Sequence, residues 1–348
     1  MAKKRLTIAE IAALAGVSTA TVSRVLNGKK DVSLKTRLKI QRIIADHGYQ
    51  PHALARSLSL KKTYNLGLII PHTAEYLFSF PYFSELIRGI SHHANAQGYR
   101  LLLATASSER SSADTYETVL YGAVDGLIVV DIKVQDERLK WLEREQIPFV
   151  LVGRPFQRST MSCVDSDNVG GAYQATRYLL ELGYEEVWLI NGPAEHTVSV
   201  YREQGYQRAL QEAGHSSGER VLYGPFTVEG GYALAQEVLR RRSHLATKAK
   251  QKGFGLLAAS DLQACGAILA LKEAGLAVGR EVSVIGFDDV PLARVFDPPL
   301  TTVRQPIFEI GMEAARSLIR RIERPEAPPL QTVFPTELIV RKSTRSSP

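Results

Sequence analysis

Residues 6–28 read LTIAEIAALAGVSTATVSRVLNG, and the spacing of their apolar positions decides how the first domain folds. Thr7 and Glu10 form a T-x-x-E capping box, in which hydroxyl and carboxylate each satisfy a backbone donor at a helix start, so a helix begins near Ile8. Ile8, Ile11, Ala12 and Ala15 share one face, Gly16 supplies a turn, and Ser18 is an N-cap for a second helix. In that second helix Val22, Val25 and Leu26 point inward. Thr19, Ala20, Ser23, Arg24 and Asn27 lie on the opposite face. That face suits a DNA major groove: its short side chains permit close approach, and Arg24 reaches a guanine edge or a phosphate. A third helix starting at Ser33 and running through Leu34, Leu38, Ile40, Ile43 and Ile44 to Gly48 closes a small core, with Lys35, Arg37, Lys39 and Arg42 outside.

Charge sharpens this reading. Residues 1–62 carry thirteen Lys and Arg against Glu10, Asp31 and Asp46, an excess of ten in a chain whose net charge is +7, so the remainder is mildly acidic. A basic module on an acidic body is the footprint of a polyanion reader. A merely solvated basic tail fits less well, because the charges interleave with helical patterns.

With 348 residues and 45% hydrophobic content the chain supports more than one core. No apolar run approaches the roughly eighteen residues of a membrane span, and the N-terminus has no uninterrupted apolar segment, so the expected location is the cytoplasm, with no membrane partner. Cys163 and Cys265 are far apart and lack metal or disulfide spacing; small core residues are expected there, and no cofactor or metal.

Tyr49-Gln50-Pro51 ends the third helix, since proline lacks a donor and restricts its predecessor. Residues 52–58 then allow about two helical turns, marginal in isolation. From Tyr64 onward, strand-like apolar runs alternate with helical patterns. Runs at 66–70, 101–105, 126–130 and 149–152, with a helix at 83–96, make one α/β lobe. A second series contains a helix at 172–182 after Asp167-Asn168, a strand at 187–190, a helix at 201–213, and strands at 255–260 and 282–287. The basic run at 240–252, RRRSHLATKAKQK, is read as a solvated helix end or loop, with an auxiliary contact to DNA or a partner as the alternative.

The segments ATVSRVLNG after IAALAGVS, followed by GYQP at 48–51, closely resemble the lactose-repressor (LacI/GalR) family of bacterial transcription regulators. The resemblance covers essentially the whole chain. It implies an all-α helix-turn-helix DNA-binding domain at residues 1–50 and a hinge helix and linker at 51–62. The body would be periplasmic-binding-protein-like, with two mostly parallel α/β lobes. The N-terminal lobe would take 63–163 and 304–330, the C-terminal lobe 164–303 and 331–342, with a polar tail at 343–348. The segment at 298–306 resembles the family's crossing back to the first lobe, followed by a helix at 308–322, and a last strand near 333–340 would join the second lobe.

By the same resemblance Thr19, Ala20 and Arg24 read operator bases, while Thr7, Ser18, Thr21, Ser23 and Asn27 position the helix on the backbone. His52, Ala55, Arg56 and Leu58 complete the DNA-facing set in a dimer's paired hinge helices, with Leu58 as a minor-groove wedge. His52 departs from the family's usual asparagine, which leaves open either a solvent-facing substitute or an altered cap.

In open parallel sheets ligands gather beyond the carboxyl ends of strands. The residues there are His72 and Tyr76 after the first strand, Asp131 after 126–130, and Arg202, Phe226, Ser260, Asp261 and Asp288 in the second lobe. The family match places Arg202 by Y-R-x-x-G, Asp261 by A-x-S-D and Asp288 by GFDD at effector-contacting positions, with Phe226 where a ring stacks on the ligand. Carboxylates, an arginine fork and an aromatic face suit a polyol. The first expectation is a sugar or sugar phosphate; a purine, nucleoside or other metabolite is the alternative. Taken singly, Asp261 and Asp288 could be caps and Phe226 core.

The chain has no G-x-G-x-x-G after its first strand, no P-loop, no H-E-x-x-H and no G-x-S-x-G, so an enzyme is not expected. A transport receptor would not carry the DNA module. The reading is a homodimeric repressor binding double-stranded operator DNA under control of a small molecule; the tail RKSTRSSP has no heptads for a tetramer.

Overall fold

Thr7 opens the first helix as its sequence requires. The Thr7 amide donates to Glu10 Oε2 at 2.6 Å and the Glu10 amide donates back to Thr7 Oγ1 at 3.3 Å, capping α1 (Ile8–Ala15). Gly16, at φ 67°, closes it. The Thr21 amide donates to Ser18 Oγ at 3.2 Å at the start of α2 (Thr19–Leu26), and the two helices meet at 104°, an angle typical of a helix-turn-helix. Ser33 caps α3 (Leu34–Asp46).

Ile11, Ala12, Ala15, Val22, Val25 and Ile40 form the core of this bundle. Leu34 and Leu38, expected inside, are 71% and 57% exposed. Helical geometry explains the correction: Ile40, Ile43 and Ile44 define the inward face, and positions two and six residues earlier fall away from it.

This computed structural model describes residues 6–26, 29, 31–47, 49, 62–105, 123–156, 160–216, 220–245 and 253–345. The chain divides into two compact units, Met1–Thr63 and Tyr64–Pro348. Asn27 and the expected hinge through residue 61, with His52, Ala55, Arg56 and Leu58, lie outside the described residues.

The second unit is built on two sheets. The first contains β1 (Asn65–Ile70), β2 (Arg100–Thr105), β3 (Gly126–Val129), β4 (Phe149–Val152), β5 (Cys163–Ser166) and β11 (Gln331–Phe334), in the order β11-β5-β4-β3-β1-β2, every pair parallel. The second contains β6 (Val187–Asn191), β7 (Val221–Tyr223), β8 (Phe254–Ala258), β9 (Val282–Asp288), β10 (Thr301–Arg304) and β12 (Glu337–Ile339), in the order β12-β10-β9-β8-β6-β7. Its β12 edge strand alone is antiparallel.

On the first lobe lie α4 (Ala74–Ser79), α5 (Pro81–Ala96), α6 (Glu137–Arg144) and the returning α12 (Ile307–Glu323). The second lobe carries α7 (Asn168–Glu181), α8 (Thr197–Glu212), α9 (Val228–Leu245), α10 (Asp261–Glu273) and α11 (Pro291–Val295). The α5 and α12 backbones approach closely at Gly89 and Gly311: a Cβ on Gly89 would collide with the Phe308 carbonyl, and one on Gly311 with that of Leu86. Both cysteines are buried.

Two expected boundaries need correction. The run at 163–166 and the segment at 331–334 pair with each other in the first sheet, and only Glu337–Ile339 joins the second. The expected single strand at 333–340 is thus two short strands, one in each lobe. Alternating burial, as in β11, marks a strand but does not say which edge it joins.

The basic run also resolves in part. Arg240 and Arg241 pair with Glu237 at the end of α9, while Arg242 is buried against Glu186 and over the Phe254 ring. These three arginines serve the fold; residues 246–252 are outside the described set.

Candidate functional site

The first unit presents one polar face. Thr19, Ala20 and Arg24 are exposed on α2, with Thr21 and Ser23 half-buried beside them. Ser18 and Thr21 also bond each other through their hydroxyls at 3.0 Å. Arg24 lies 3.4 Å from Asp31, with 61% of its side chain exposed. An exposed pair of this kind holds weakly, so Arg24 can turn to a phosphate or base edge. Thr7 does its visible work as a helix cap.

The second unit places its polar residues where topology reverses. In the first sheet β1 lies between β2 and β3, so the connections after β1 and β3 diverge; in the second, β6 lies between β7 and β8. Such switch points open a crevice at the carboxyl ends of the strands. His72, Tyr76 and Asp131 rise from the first pair of strand ends, and Thr197, Arg202 and Phe226 follow the strands of the second.

Together they line a cleft with about 690 Å³ of atom-free space, including solvent at its mouth. Its first-lobe wall is aromatic: Tyr76, Phe80, Tyr82 and Phe83, with His72 lying 4.2 Å from the Tyr76 ring. Phe226 faces in from the other lobe. Its ring rests on Gly192, where any Cβ would collide with the ring edge at Cζ.

Arg202 is the polar centre. Because α8 starts at Thr197, earlier than its apolar pattern suggests, Arg202 sits in the second turn and points inward. Its Nε donates to Asn168 Oδ1 at 2.9 Å, one terminal nitrogen donates to the Ala259 carbonyl, and the other lies 3.8 Å from Asp288 Oδ1. The guanidinium covers the Phe287 ring at 3.8 Å. Burial lowers its pKa, and Asp288 opposes that effect.

Asp288 receives Gln305 Nε2 at 2.6 Å. Burial pushes its carboxyl up to about 7, against the pull of Arg202 and Gln305. Asp165, taken up by the Ser166 and Arg154 amides and by Asn168, is likewise raised by burial, to about 6, despite nearby Arg154.

Asp131 behaves oppositely. His72 Nε2 lies 2.5 Å from one of its oxygens and His196 Nδ1 lies 2.6 Å from the other. Burial opposes ionisation, but the two imidazoles beside it outweigh burial and hold the carboxyl below the ordinary range. His72 belongs to the first lobe and His196 to the second, so this carboxylate ties the lobes together. A second tie is the Thr197 amide donating to the Ile132 carbonyl at 2.9 Å. Asp131, Asp288 and Asp289 have φ of 58°, 120° and 56°, an uncommon backbone region for residues other than glycine that gathers at functional sites.

Six of the eight expected ligand residues, His72, Tyr76, Asp131, Arg202, Phe226 and Asp288, line this cleft. Ser260 and Asp261 do not. Ser260 caps α10 by accepting from the Gln263 amide. Asp261 is fully buried, accepting from the Val290 amide at 2.9 Å and the Thr302 hydroxyl at 2.5 Å; burial and then Asp288 raise its pKa. Its carboxylate braces the turn that presents Asp288. The neighbouring Asp289 turns away into Arg294, Arg304 and Arg341.

Sequence reasoning missed Tyr82, Asp165, Asn168, Thr197 and Gln305, which also line the cleft. Asp165 and Gln305 follow from strand ends, but only once β5 and β10 are placed in their sheets.

Comparison with known proteins accords with both halves. The model described as "Bacterial regulatory proteins, lacI family" matches residues 7–52, and that of a periplasmic binding protein-like domain matches 176–344. The chain is similar to the HTH-type transcriptional regulator CelR of Thermobifida fusca, 34% identical over 98% of this chain and 99% of that protein. It is also similar to the HTH-type transcriptional repressor PurR of Erwinia tasmaniensis, 35% identical over 98% of each. The solved CelR-cellobiose complex superposes with a TM-score of 0.76 at 34% identity, covering 97% of this chain and 100% of that one. The chain therefore belongs to the lacI family of bacterial regulatory proteins, effector-controlled DNA-binding transcription regulators and not enzymes.

Proposed function

We propose that this chain is a homodimeric repressor that binds a pseudo-palindromic operator and answers to a small saccharide held in the cleft between its lobes. The observation that carries this reading is the cleft itself. Aromatic faces from both lobes enclose carboxylate, amide and guanidinium groups fixed in buried networks. Such a set grips the hydroxyls of a sugar while its rings cover the apolar sugar faces. The CelR relative, of similar sequence and fold, was solved as a cellobiose complex.

Thr19, Ala20 and Arg24 contact operator bases; Ser18, Thr21 and Ser23 set the helix on the phosphates. Two copies match two half-sites by symmetry. The expected hinge, with Leu58 as wedge, completes the DNA contact in the cytoplasm, where the operator resides.

The saccharide acts by preferring one arrangement of the lobes. It shifts DNA affinity only by its differential affinity for the arrangements, and DNA alters saccharide affinity by the same factor. The test is a thermal-shift screen of the full chain against neutral mono- and disaccharides, nucleobases and nucleosides. Stabilisation by a saccharide, lost in Arg202→Leu, supports the reading. Stabilisation by nucleobases or nucleosides alone would refute the effector class while leaving the regulator in place.

A further inference from the structure

Arg202 is the one Lys or Arg among the described lining residues; its Nε donates to Asn168, one terminal nitrogen donates to the Ala259 carbonyl, and the other lies 3.8 Å from Asp288. Arg154 stands behind Asp165, 3.5 Å from Oδ2, with its guanidinium over the Tyr201 ring. His72 and His196 are both held on Asp131.

Several amides at the helix ends are also taken. At the start of α8 the Thr197 amide donates to the Ile132 carbonyl, and the Ser199 and Val200 amides donate to the His196 carbonyl. At the start of α7, Asp167 already accepts from the Gly170 amide. Among the described lining residues, a phosphate entering this cleft meets buried Asp165 and Asp288, and Arg202, the one Lys or Arg there, is already engaged.

We propose that the cleft is charge-selective: it admits an uncharged, unphosphorylated saccharide and rejects the phosphate ester of the same sugar, with Asp288 and Asp165 as the discriminating residues. This rests on the saccharide reading above and narrows it, since sequence alone left sugars and sugar phosphates together. The physical basis is repulsion at low effective dielectric. A dianion within a few ångströms of one buried carboxylate forfeits affinity, and desolvating a phosphate without partners costs more again. The burial that raises both carboxyls penalises any further negative charge placed beside them.

The experiment is calorimetric titration of the full chain with matched pairs in one buffer: glucose and glucose 6-phosphate, ribose and ribose 5-phosphate, cellobiose and its 6′-phosphate. For each neutral sugar that binds, the ester is expected to bind at least about a hundredfold more weakly. In Asp288→Asn, which keeps the shape and relieves Arg202 of its counter-charge, the gap should shrink at least about fivefold. Asp165→Asn serves the same purpose if Asp288→Asn fails to fold by circular dichroism. An ester that binds the wild type as tightly as its parent sugar overturns the charge rule while the saccharide reading stands, and an unchanged gap in the folded variant overturns the assignment to these carboxylates. If no member of any pair binds, the saccharide reading falls and takes the charge rule with it.

Discussion

Replacing Asp131 by asparagine isolates the tie between the lobes. One oxygen of the carboxylate is hydrogen-bonded to His72 Nε2 at 2.5 Å, and the other lies in close contact with His196 Nδ1 at 2.6 Å. An amide keeps one acceptor and turns a donor toward the other imidazole, so one charge-assisted bond is lost. Bonds of that kind contribute about 1.5–3 kcal/mol. The backbone adds little, because asparagine tolerates the φ of 58° found there.

With a urea slope of about 3 kcal/mol/M, the midpoint of the second unit should fall by about 0.5–1 M. Tryptophan fluorescence reports it from both lobes, through Trp141 on α6 and Trp188 on β6. The sign with pH is fixed by the depressed carboxyl. Its contribution is fully present above the unfolded aspartate value of about 3.9 and is lost as pH falls below it. The gap between wild type and variant should therefore close in acid. An unchanged midpoint at neutral pH would refute the tether.

Other substitutions probe separate parts. Arg24→Ala should weaken DNA binding by about 5- to 150-fold, the worth of one base or phosphate fork, with saccharide binding intact, as read by fluorescence anisotropy at two salt concentrations. Gly89→Ala should cost about 1–3 kcal/mol in urea unfolding, because the new methyl group meets the Phe308 carbonyl where α5 and α12 touch. Asp288, raised to about 7, contributes stability that is fully present below its unfolded value and lost as pH rises through 7. Without ligand, wild type should therefore lose more stability between pH 4 and 8 than Asp288→Asn does; parallel profiles in thermal unfolding would contradict that.

Much of this was legible in the chain because local rules and tertiary structure agree. Thr7, Glu10, Gly16 and Ser18 are punctuation whose chemistry needs no distant partner, and they mark the helix-turn-helix within a residue. Continuous apolar runs located most of the central strands for the same reason. What stayed hidden depends on neighbours far along the sequence. Gln331–Phe334 joins Cys163–Ser166 across more than half the body, and neither segment advertises the other. Asp261 lies beside a strand end as Asp288 does, yet Thr302 and the Val290 amide turn it into a brace. His196 carries no signal in the sequence, because its role exists only when the second lobe faces Asp131.

In the proposed function, one molecule in the cleft governs DNA binding at the other unit. The most direct test takes duplexes that the full chain selects from a random pool and measures their affinity by anisotropy, with and without saturating amounts of the saccharide that stabilises the protein. The expected change is at least about fivefold, matched by an equal reciprocal change in saccharide affinity when DNA is bound. Identical DNA affinity in both conditions, with the saccharide demonstrably bound, would contradict it.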